Sequence, residues 1–226
     1  MTSPVATTTS AAGVRWDLSD LFAGPDDPAL AAALDRVTRD ADDFAAAYRG
    51  TINVVGGPSV EHLLAALRHL ERVYDAQGRL GSYASLAFAA DTQNVAIQNA
   101  QQRVQQRLTA VNNTTLFFDL EWQAVAEADA ERLMADPRLA DYAHSRRVER
   151  LYTPHTLSEP EEKMVREKDL SGVTAWSRLF TEQTSALLIP VPRDGKVEAI
   201  PLDAAFNLMR DPDRSVRRAA HDAVYD

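Results

Sequence analysis

Ser158-Glu159-Pro160-Glu161-Glu162-Lys163-Met164-Val165-Arg166-Glu167-Lys168-Asp169-Leu170-Ser171-Gly172-Val173-Thr174-Ala175-Trp176-Ser177-Arg178-Leu179-Phe180-Thr181-Glu182-Gln183-Thr184-Ser185 is the most decipherable stretch of this chain. Ser158 followed by Glu161 makes a capping box, in which the hydroxyl takes one orphan amide of the first helical turn and the carboxylate reaches back to another. Glu159, Glu161 and Glu162 fall in that turn, where the helix dipole favours negative charge. Pro160 is tolerated there because an amide so early in a helix has no intrahelical partner. Leu170-Ser171-Gly172 supplies a stop. A second stripe at Val173, Trp176, Leu179 and Phe180 then predicts another helix ending near Ser185.

Downstream, Leu187-Leu188-Ile189-Pro190-Val191 and Val197-Glu198-Ala199-Ile200-Pro201 flank Arg193-Asp194-Gly195, whose Asp-Gly favours a hairpin turn. Pro190, Pro192 and Pro201 remove ladder donors, so the hairpin should be short, with exposed edges. Asp203 is positioned to cap a helix over Phe206 and Leu208. Asp211-Pro212 restarts a helix through Val216, Ala219, Ala220, Ala223 and Val224 to Asp226. No Gly, Asn or Pro closes that helix, and Asp226 adds negative charge where the dipole prefers positive. The expectation is a truncated helical end whose apolar face (Phe206, Leu208, Val216, Ala220, Val224) lacks cover.

Upstream, Met1 to Gly13 is Thr, Ser and Ala without a basic start or an apolar run; it reads as a disordered tail, not a secretory signal. Val14 to Phe22 is expected to fold back as an anchor through Trp16, Leu18, Leu21 and Phe22. Gly24-Pro25-Asp26-Asp27-Pro28 leads into a helix with Leu30, Leu34, Val37, Ala41, Phe44 and Tyr48 on one side, ended by Gly50. After Gly56-Gly57-Pro58, Ser59 caps a second helix facing inward with Leu63, Leu67, Leu70, Tyr74 and Gly81. Gly78 and Gly81 suggest either a closely packed backbone or a kink. Asp91-Thr92 opens a third, longer helix, because Val104, Leu108, Val111, Thr115, Phe118, Trp122 and Val125 keep the three-four spacing. Its amide-rich start, Gln98 to Arg107, reads as a solvated face or as a channel lining. Asp129 to Met134 is a short helix, Pro137 starts another carrying Leu139, Tyr142 and Val148, and Arg150 to Pro154 reads as an extended link.

Composition bounds the function. The chain of 226 residues is long enough for one sizeable core or two small ones, and at 45% hydrophobic and 25% charged it is ordinary for a globular protein. With 33 acidic against 24 basic residues the net charge is -9, which disfavours nonspecific binding to nucleic acid or anionic membranes while leaving room for a local basic patch. Cysteine is absent, which excludes disulfides and thiolate metal sites and fits a reducing cytoplasm. No stretch approaches the ~20 apolar residues a membrane helix needs.

Five histidines, His62, His69, His144, His155 and His221, are the metal-ligand candidates, and no two lie four apart. His62 and His69 share a helix face, but seven residues separate them by roughly 10 Å along the axis, too far for one zinc ion. His155 and Glu159 have a four-residue gap, yet Pro154 and the Ser158 cap place His155 ahead of the helix, as a loop residue. Glu161 and Glu162 resemble paired catalytic carboxylates, but their first-turn position explains them better. There is no nucleophile elbow, phosphate-binding Gly-rich loop or dinucleotide fingerprint, so no catalytic, cofactor-binding or metal residue is assigned.

Four pieces share a family resemblance: Trp16-Asp17-Leu18-Ser19-Asp20-Leu21-Phe22; Pro154 to Glu162 with Thr174-Ala175-Trp176-Ser177-Arg178-Leu179-Phe180; the segment Leu187 to Leu202; and Leu208-Met209-Arg210-Asp211-Pro212-Asp213-Arg214-Ser215-Val216-Arg217. In order and spacing they resemble the amino-terminal part of the oligoendopeptidase F family of zinc metallopeptidases, from Val14 onward. The resemblance implies a parent that cleaves short peptides in a deep channel between two mostly helical halves, with this chain as one wall. The parent's catalytic motif, His-Glu-x-x-His, places two imidazoles on one helix face and a glutamate beside the metal-bound water. This sequence has none, so zinc is expected in a missing carboxy-terminal half and the chain alone should be inactive.

The expected fold is mainly α: an antiparallel helical bundle, then a helix pair, one small β-hairpin and a truncated helical end. The expected layout is a tail at 1–13, the bundle at 14–153 and the start of the peptidase core at 154–226. The expected partners are an oligopeptide substrate and the missing half, with no nucleic acid and no membrane, in a cytoplasmic protein. The alternatives are a freestanding helical module that binds a peptide or protein without catalysis, and a metal enzyme whose ligands converge from distant positions.

Overall fold

Phe44, Phe117, Phe118 and Trp122 fix where the amino-terminal helices meet, since each is fully buried and such a side chain contributes about 1.5–3 kcal/mol on leaving water. The computed structural model describes residues 16–193 and 195–225. The expected tail, Val14, Asp194 of the hairpin turn and Asp226 lie outside the described residues. The chain divides into two units, 1–160 and 161–226.

In the first unit, α1 (Pro28–Tyr48), α2 (Val60–Ala90) and α3 (Val95–Thr115) pack pairwise as the antiparallel bundle that the stripes predict. Asp27 caps α1 by accepting from the Ala29 amide at 2.8 Å, and Ser59 caps α2 by accepting from the His62 amide at 3.1 Å. Two apolar clusters are stacked along these helices. One joins Phe22, Leu30, Leu34, Val37, Val73, Leu80, Tyr83, Val104 and Val111. The other joins Phe44, Leu63, Leu67, Leu70, Phe117, Phe118, Trp122, Leu133 and Leu139. The second cluster is closed by α4 (Phe117–Ala124), α5 (Glu127–Met134), a 3-10 turn at Pro137–Leu139 and α6 (Ala140–Leu151).

Several expectations need correction in this unit. The amino-terminal anchor works through Phe22, whose ring meets Tyr83 edge-on at 5.1 Å, and Arg79 holds the preceding backbone at the Asp20 and Leu21 carbonyls. Trp16 stays exposed. On α2 the inward residue is Val73 and not Tyr74, which is exposed, because the 3.6-residue repeat carries the buried face between the two. No backbone approaches the α2 glycines: a Cβ on Gly78 would meet nothing within 4 Å, and one on Gly81 only the Leu108 side chain at 3.6 Å. Asp91 ends α2, and α3 starts four residues later under an Asn94 cap. The long third helix is interrupted at Leu116. There the Thr115 hydroxyl donates to the Val111 and Asn112 carbonyls, and Leu116, Phe117 and Phe118 are buried in succession, which one straight amphipathic stripe cannot do. Gln101, at the amide-rich start of α3, is buried and not solvated. The short helix α5 starts at Glu127 rather than Asp129, and Val148 of α6 lies at the surface.

The link after α6 is compact rather than extended: Tyr152 is helical, and Thr153–His155 forms a 3-10 turn. The Thr153 hydroxyl donates to the Arg150 carbonyl at 2.7 Å and the Thr156 hydroxyl to Tyr152 at 3.1 Å, local bonds that coil the segment.

The second unit takes in most of α7 (Glu159–Ser171), then α8 (Val173–Ala186), separated from it by Gly172 alone. The helix start after Ser158 and the stop at Gly172 fall where the sequence puts them. Strands β1 (Leu188–Arg193) and β2 (Lys196–Pro201) pair antiparallel, Leu188 opposite Pro201 and Arg193 opposite Lys196. Gly195 has φ +75, a left-handed conformation that suits glycine in this turn. Ile189 and Val191 point to one face of the hairpin and meet α9 (Leu202–Leu208) and α10 (Arg214–Tyr225) through Ala205, Leu208, Ala223 and Val224. Asp203 lies inside the first turn of α9 and makes no cap, because Pro201 takes the cap position. Helix α10 begins at Arg214, with Asp213 accepting from the Ser215 amide at 2.7 Å. The apolar face at the carboxy-terminal end is better covered than expected: Ala220 is buried and Leu208, Val216 and Val224 are half-buried, leaving Phe206 exposed.

Candidate functional site

The histidines distribute over the molecule without converging. On α2, His62 and His69 flank Tyr48 at ring distances of 5.4 and 5.8 Å, so aromatic packing occupies them. The His62 ring nitrogen shares a 2.7 Å hydrogen bond with the Thr51 hydroxyl. His69 stacks edge-on to Phe44 at 5.4 Å, and burial, with Arg72 contributing, pushes its pKa below the ordinary imidazole value. His144 and His155 are exposed, and His221 lies beside Asp222 at 3.2 Å. Among the described residues no three His, Cys, Asp or Glu side chains are grouped to hold a metal ion.

The carboxylates of the central motif stand at the start of α7. Glu159 takes two hydrogen bonds from Arg49, at 3.0 and 3.1 Å. The Arg49 guanidinium also lies 4.4 Å from the centre of the Phe117 ring, which ties the end of α1 to the start of α7. Glu161 and Glu162 fall in the first turn of α7, as the capping pattern requires.

Between Glu121 and Arg150 is a clamp that the sequence did not reveal. The Glu121 carboxylate accepts from the Gly50 and Ile52 amides at 2.7 and 3.1 Å, fixing the turn after α1. Arg150 donates to the carbonyls of Trp122 at 2.6 Å and Val125 at 2.9 Å, at the end of α4 where a cation suits the dipole. The Trp122 indole donates back to the Arg146 carbonyl at 2.8 Å, and Arg146 pairs with Asp119 at 2.9 Å. Charged residues scattered between stripes carry no period, so only their isolated charge in an apolar neighbourhood hinted at such a role. Nearby, hydrogen bonds from the Arg138 side chain and amide hold Asp136 down to about 2.

The most conspicuous surface is on α8, which buries none of its residues. Val173, Trp176 and Phe180 are 69%, 70% and 70% exposed, and their three- and four-residue spacing puts them on one side of the helix. The predicted stripe is real, and it faces outward. A contiguous exposed apolar face of this kind suits a contact surface. A different depression, of about 520 Å3, lies in the bundle between Pro25 to Asp35 and Ala100 to Arg107; there Arg107 is paired with Asp35 at 2.7 Å.

Comparison with known proteins meets this geometry. A family model described as Oligopeptidase F, for the amino-terminal region of such peptidases, matches residues 121–188, from the clamp through α8. The chain is 26% identical over 215 residues to oligopeptidase PepF of Bacillus subtilis, covering 93% of this chain and 31% of that one. It is also 26% identical over 163 residues to the group B oligopeptidase PepB of Streptococcus agalactiae, covering 70% of this chain and 26% of that one. The chain thus spans less than a third of the length of these curated relatives. In fold it is similar to a crystal structure from Chlamydophila abortus described as a candidate peptidase, with TM-score 0.52 and 19% identity, over 92% of this chain and 35% of that one. Motifs, family model and relatives agree, and together they support an amino-terminal region similar to that of the oligoendopeptidase F family.

Proposed function

We propose that this chain is the amino-terminal part of an oligoendopeptidase F-type zinc metalloendopeptidase that hydrolyses short peptides in the cytoplasm. Its contribution is one wall of the substrate channel, with 14–153 as the helical bundle and 154–226 as the start of the peptidase core. The observation that carries this reading is similarity along nearly the whole chain to a protein named an oligopeptidase, of whose length the match covers 31%. A wall of this kind works by exclusion, since a narrow channel admits flexible oligopeptides and keeps folded proteins from the reacting centre. Zinc does not fit the residues described here, because a catalytic site needs about three converging protein ligands and no such group is present among them. The hydrolytic residues are therefore assigned to sequence outside this chain, and the chain by itself should be inactive.

The test is a fluorogenic oligopeptide assay on the purified chain with added zinc, with and without a chelator. No turnover is expected. Chelator-sensitive turnover that co-purifies with the chain would overturn the assignment of the chemistry elsewhere. A coding sequence that stops after Asp226 with no His-Glu-x-x-His would favour a freestanding binding module instead.

A further inference from the structure

The chain carries a net charge of -9, yet one face of α10 is cationic. Arg214, Arg217, Arg218 and His221 recur at three- and four-residue steps and, with Met209, border a shallow depression of about 390 Å3. No carboxylate is among its lining residues as described. The opposite side of the same helix is committed to the core, through buried Ala220 and half-buried Ala223 and Val224.

Their partners leave these cations incompletely neutralised. Arg217 donates to the Asp211 and Pro212 carbonyls at 2.7 and 2.8 Å, neutral acceptors that orient the guanidinium without cancelling its charge. Arg218 and His221 share a single carboxylate, Asp222, at 3.6 and 3.2 Å. Asp213 is occupied by the Ser215 amide and hydroxyl, both at 2.7 Å, with Arg217 close enough to contribute to its lowered pKa. Arg214 has no hydrogen-bond or ion-pair partner among the described residues. Three carboxylates, Asp211, Asp213 and Asp222, lie near these guanidiniums, but Asp211 is held by the Asp213 amide at 2.8 Å and none of the three lines the depression.

We propose that this face of α10 binds short acidic peptides, with two of their carboxylates docking along Arg214, Arg217 and Arg218 beside Met209. Four residues of helix separate Arg214 from Arg218 by roughly 6 Å, close to the ~6.6 Å between side chains two residues apart in an extended peptide, which share one face. One phosphate would engage only an end of such a row. The Met209 thioether and the His221–Tyr225 ring pair, 4.9 Å apart, add apolar contact suited to a peptide. A long nucleic acid would meet the repulsion of the whole acidic chain, whereas a short peptide responds mainly to charges within a Debye length of about 8–10 Å. The choice of a peptide as carrier of the carboxylates rests on the peptidase reading; the charge arrangement does not.

The test is fluorescence anisotropy with a labelled peptide bearing two glutamates two residues apart, against its glutamine counterpart, at low and physiological ionic strength. The glutamate peptide should bind about tenfold more tightly, as expected for charge-assisted pairs. Arg214→Gln with Arg218→Gln should remove that preference with the circular dichroism unchanged, while Arg103→Gln in the bundle leaves it intact. Equal binding of the two peptides, or a preference that survives the double substitution, overturns the proposal. So does displacement by pyrophosphate or a short oligonucleotide at lower concentration than the unlabelled peptide, which would make this a phosphate site. If the double variant does not fold, a lysine-for-glutamate peptide on the unaltered chain serves: binding equal to that of the glutamate peptide overturns the proposal, and loss of binding supports it. The readout is binding, so a negative peptidase assay leaves it intact.

Discussion

Helix α3 and helix α8 both carry apolar residues at three- and four-residue steps, yet α3 buries Val104 and Val111 while α8 buries nothing. The difference lies in what surrounds them. α3 sits in a unit spanning 1–160, with α1 and α2 each packed against it. α8 belongs to a unit spanning 161–226, where the apolar face of the hairpin is taken by α9 and α10. A segment this short buries a smaller fraction of its surface than a larger domain does. A stripe is therefore a property of the chain, but burial is a property of the company it keeps.

The sharpest way to break that comparison is to truncate one aromatic on each side of it. Phe118→Ala should cost about 3–5 kcal/mol in denaturant melts, because the ring is fully buried and leaves a cavity. Phe180→Ala should stay within about 0.5 kcal/mol, as surface substitutions do. A cost under about 1 kcal/mol for Phe118, or one comparable to it for Phe180, means that the two faces are misassigned.

A smaller loss should follow removal of the clamp in the bundle unit. Arg150→Ala strips charged hydrogen bonds from the Trp122 and Val125 carbonyls and should cost about 2 kcal/mol. If Arg150→Met is as stable as the native side chain, stem packing and not the guanidinium holds this end of α4.

Capping should separate the two units by kind. Ser59→Ala should lower global stability by about 1 kcal/mol, since α2 runs through both apolar clusters of the bundle. Ser158→Ala should instead speed hydrogen exchange across Met164 to Lys168 and leave the global transition nearly unmoved, because α7 buries no residue. Unchanged exchange there would sink the Ser158 cap.

The smallest expected effect is a pH dependence. In the folded bundle, burial lowers the His69 pKa below the ordinary value of 6.5, so the unfolded chain binds this proton more readily. Its contribution is complete above that value and declines as the pH falls from 6.5 towards the lowered folded value. Thermal midpoints measured from pH 7 down to 5 should therefore fall slightly more steeply for the native chain than for His69→Gln. Parallel curves would mean that His69 protonates freely where it sits.

Local signals were legible where one residue or one dipeptide suffices. The helix start within Gly24 to Pro28, the cap at Ser59, the breaks at Gly50 and Gly172 and the strands around Gly195 all fall where the sequence puts them. The misses have a common cause, which is that competing local and tertiary bonds decide them. Thr115 and the run of buried side chains at Leu116 to Phe118 interrupt a pattern that periodicity reads as one helix. Thr153 and Thr156 coil a link, Arg150 to Pro154, that the sequence reads as extended. In the candidate site, the first-turn carboxylates were readable as helix signals, whereas Glu159 reaching Arg49 across 110 residues was not.

By itself, then, the sequence determined the mainly helical class, the positions of most helix starts and stops, the single hairpin and the resemblance to a peptidase amino-terminal region. These depend on backbone preferences and side-chain spacing within a few residues, which a linear pattern records. Only the tertiary structure decided which stripes are covered, where Arg150 and Glu121 find carbonyls and amides to hold, and that Trp176 and Phe180 face solvent. Those outcomes depend on which distant surfaces are left available once the larger core has closed. A side chain reports its own hydrophobicity but not the partner that will take it out of water.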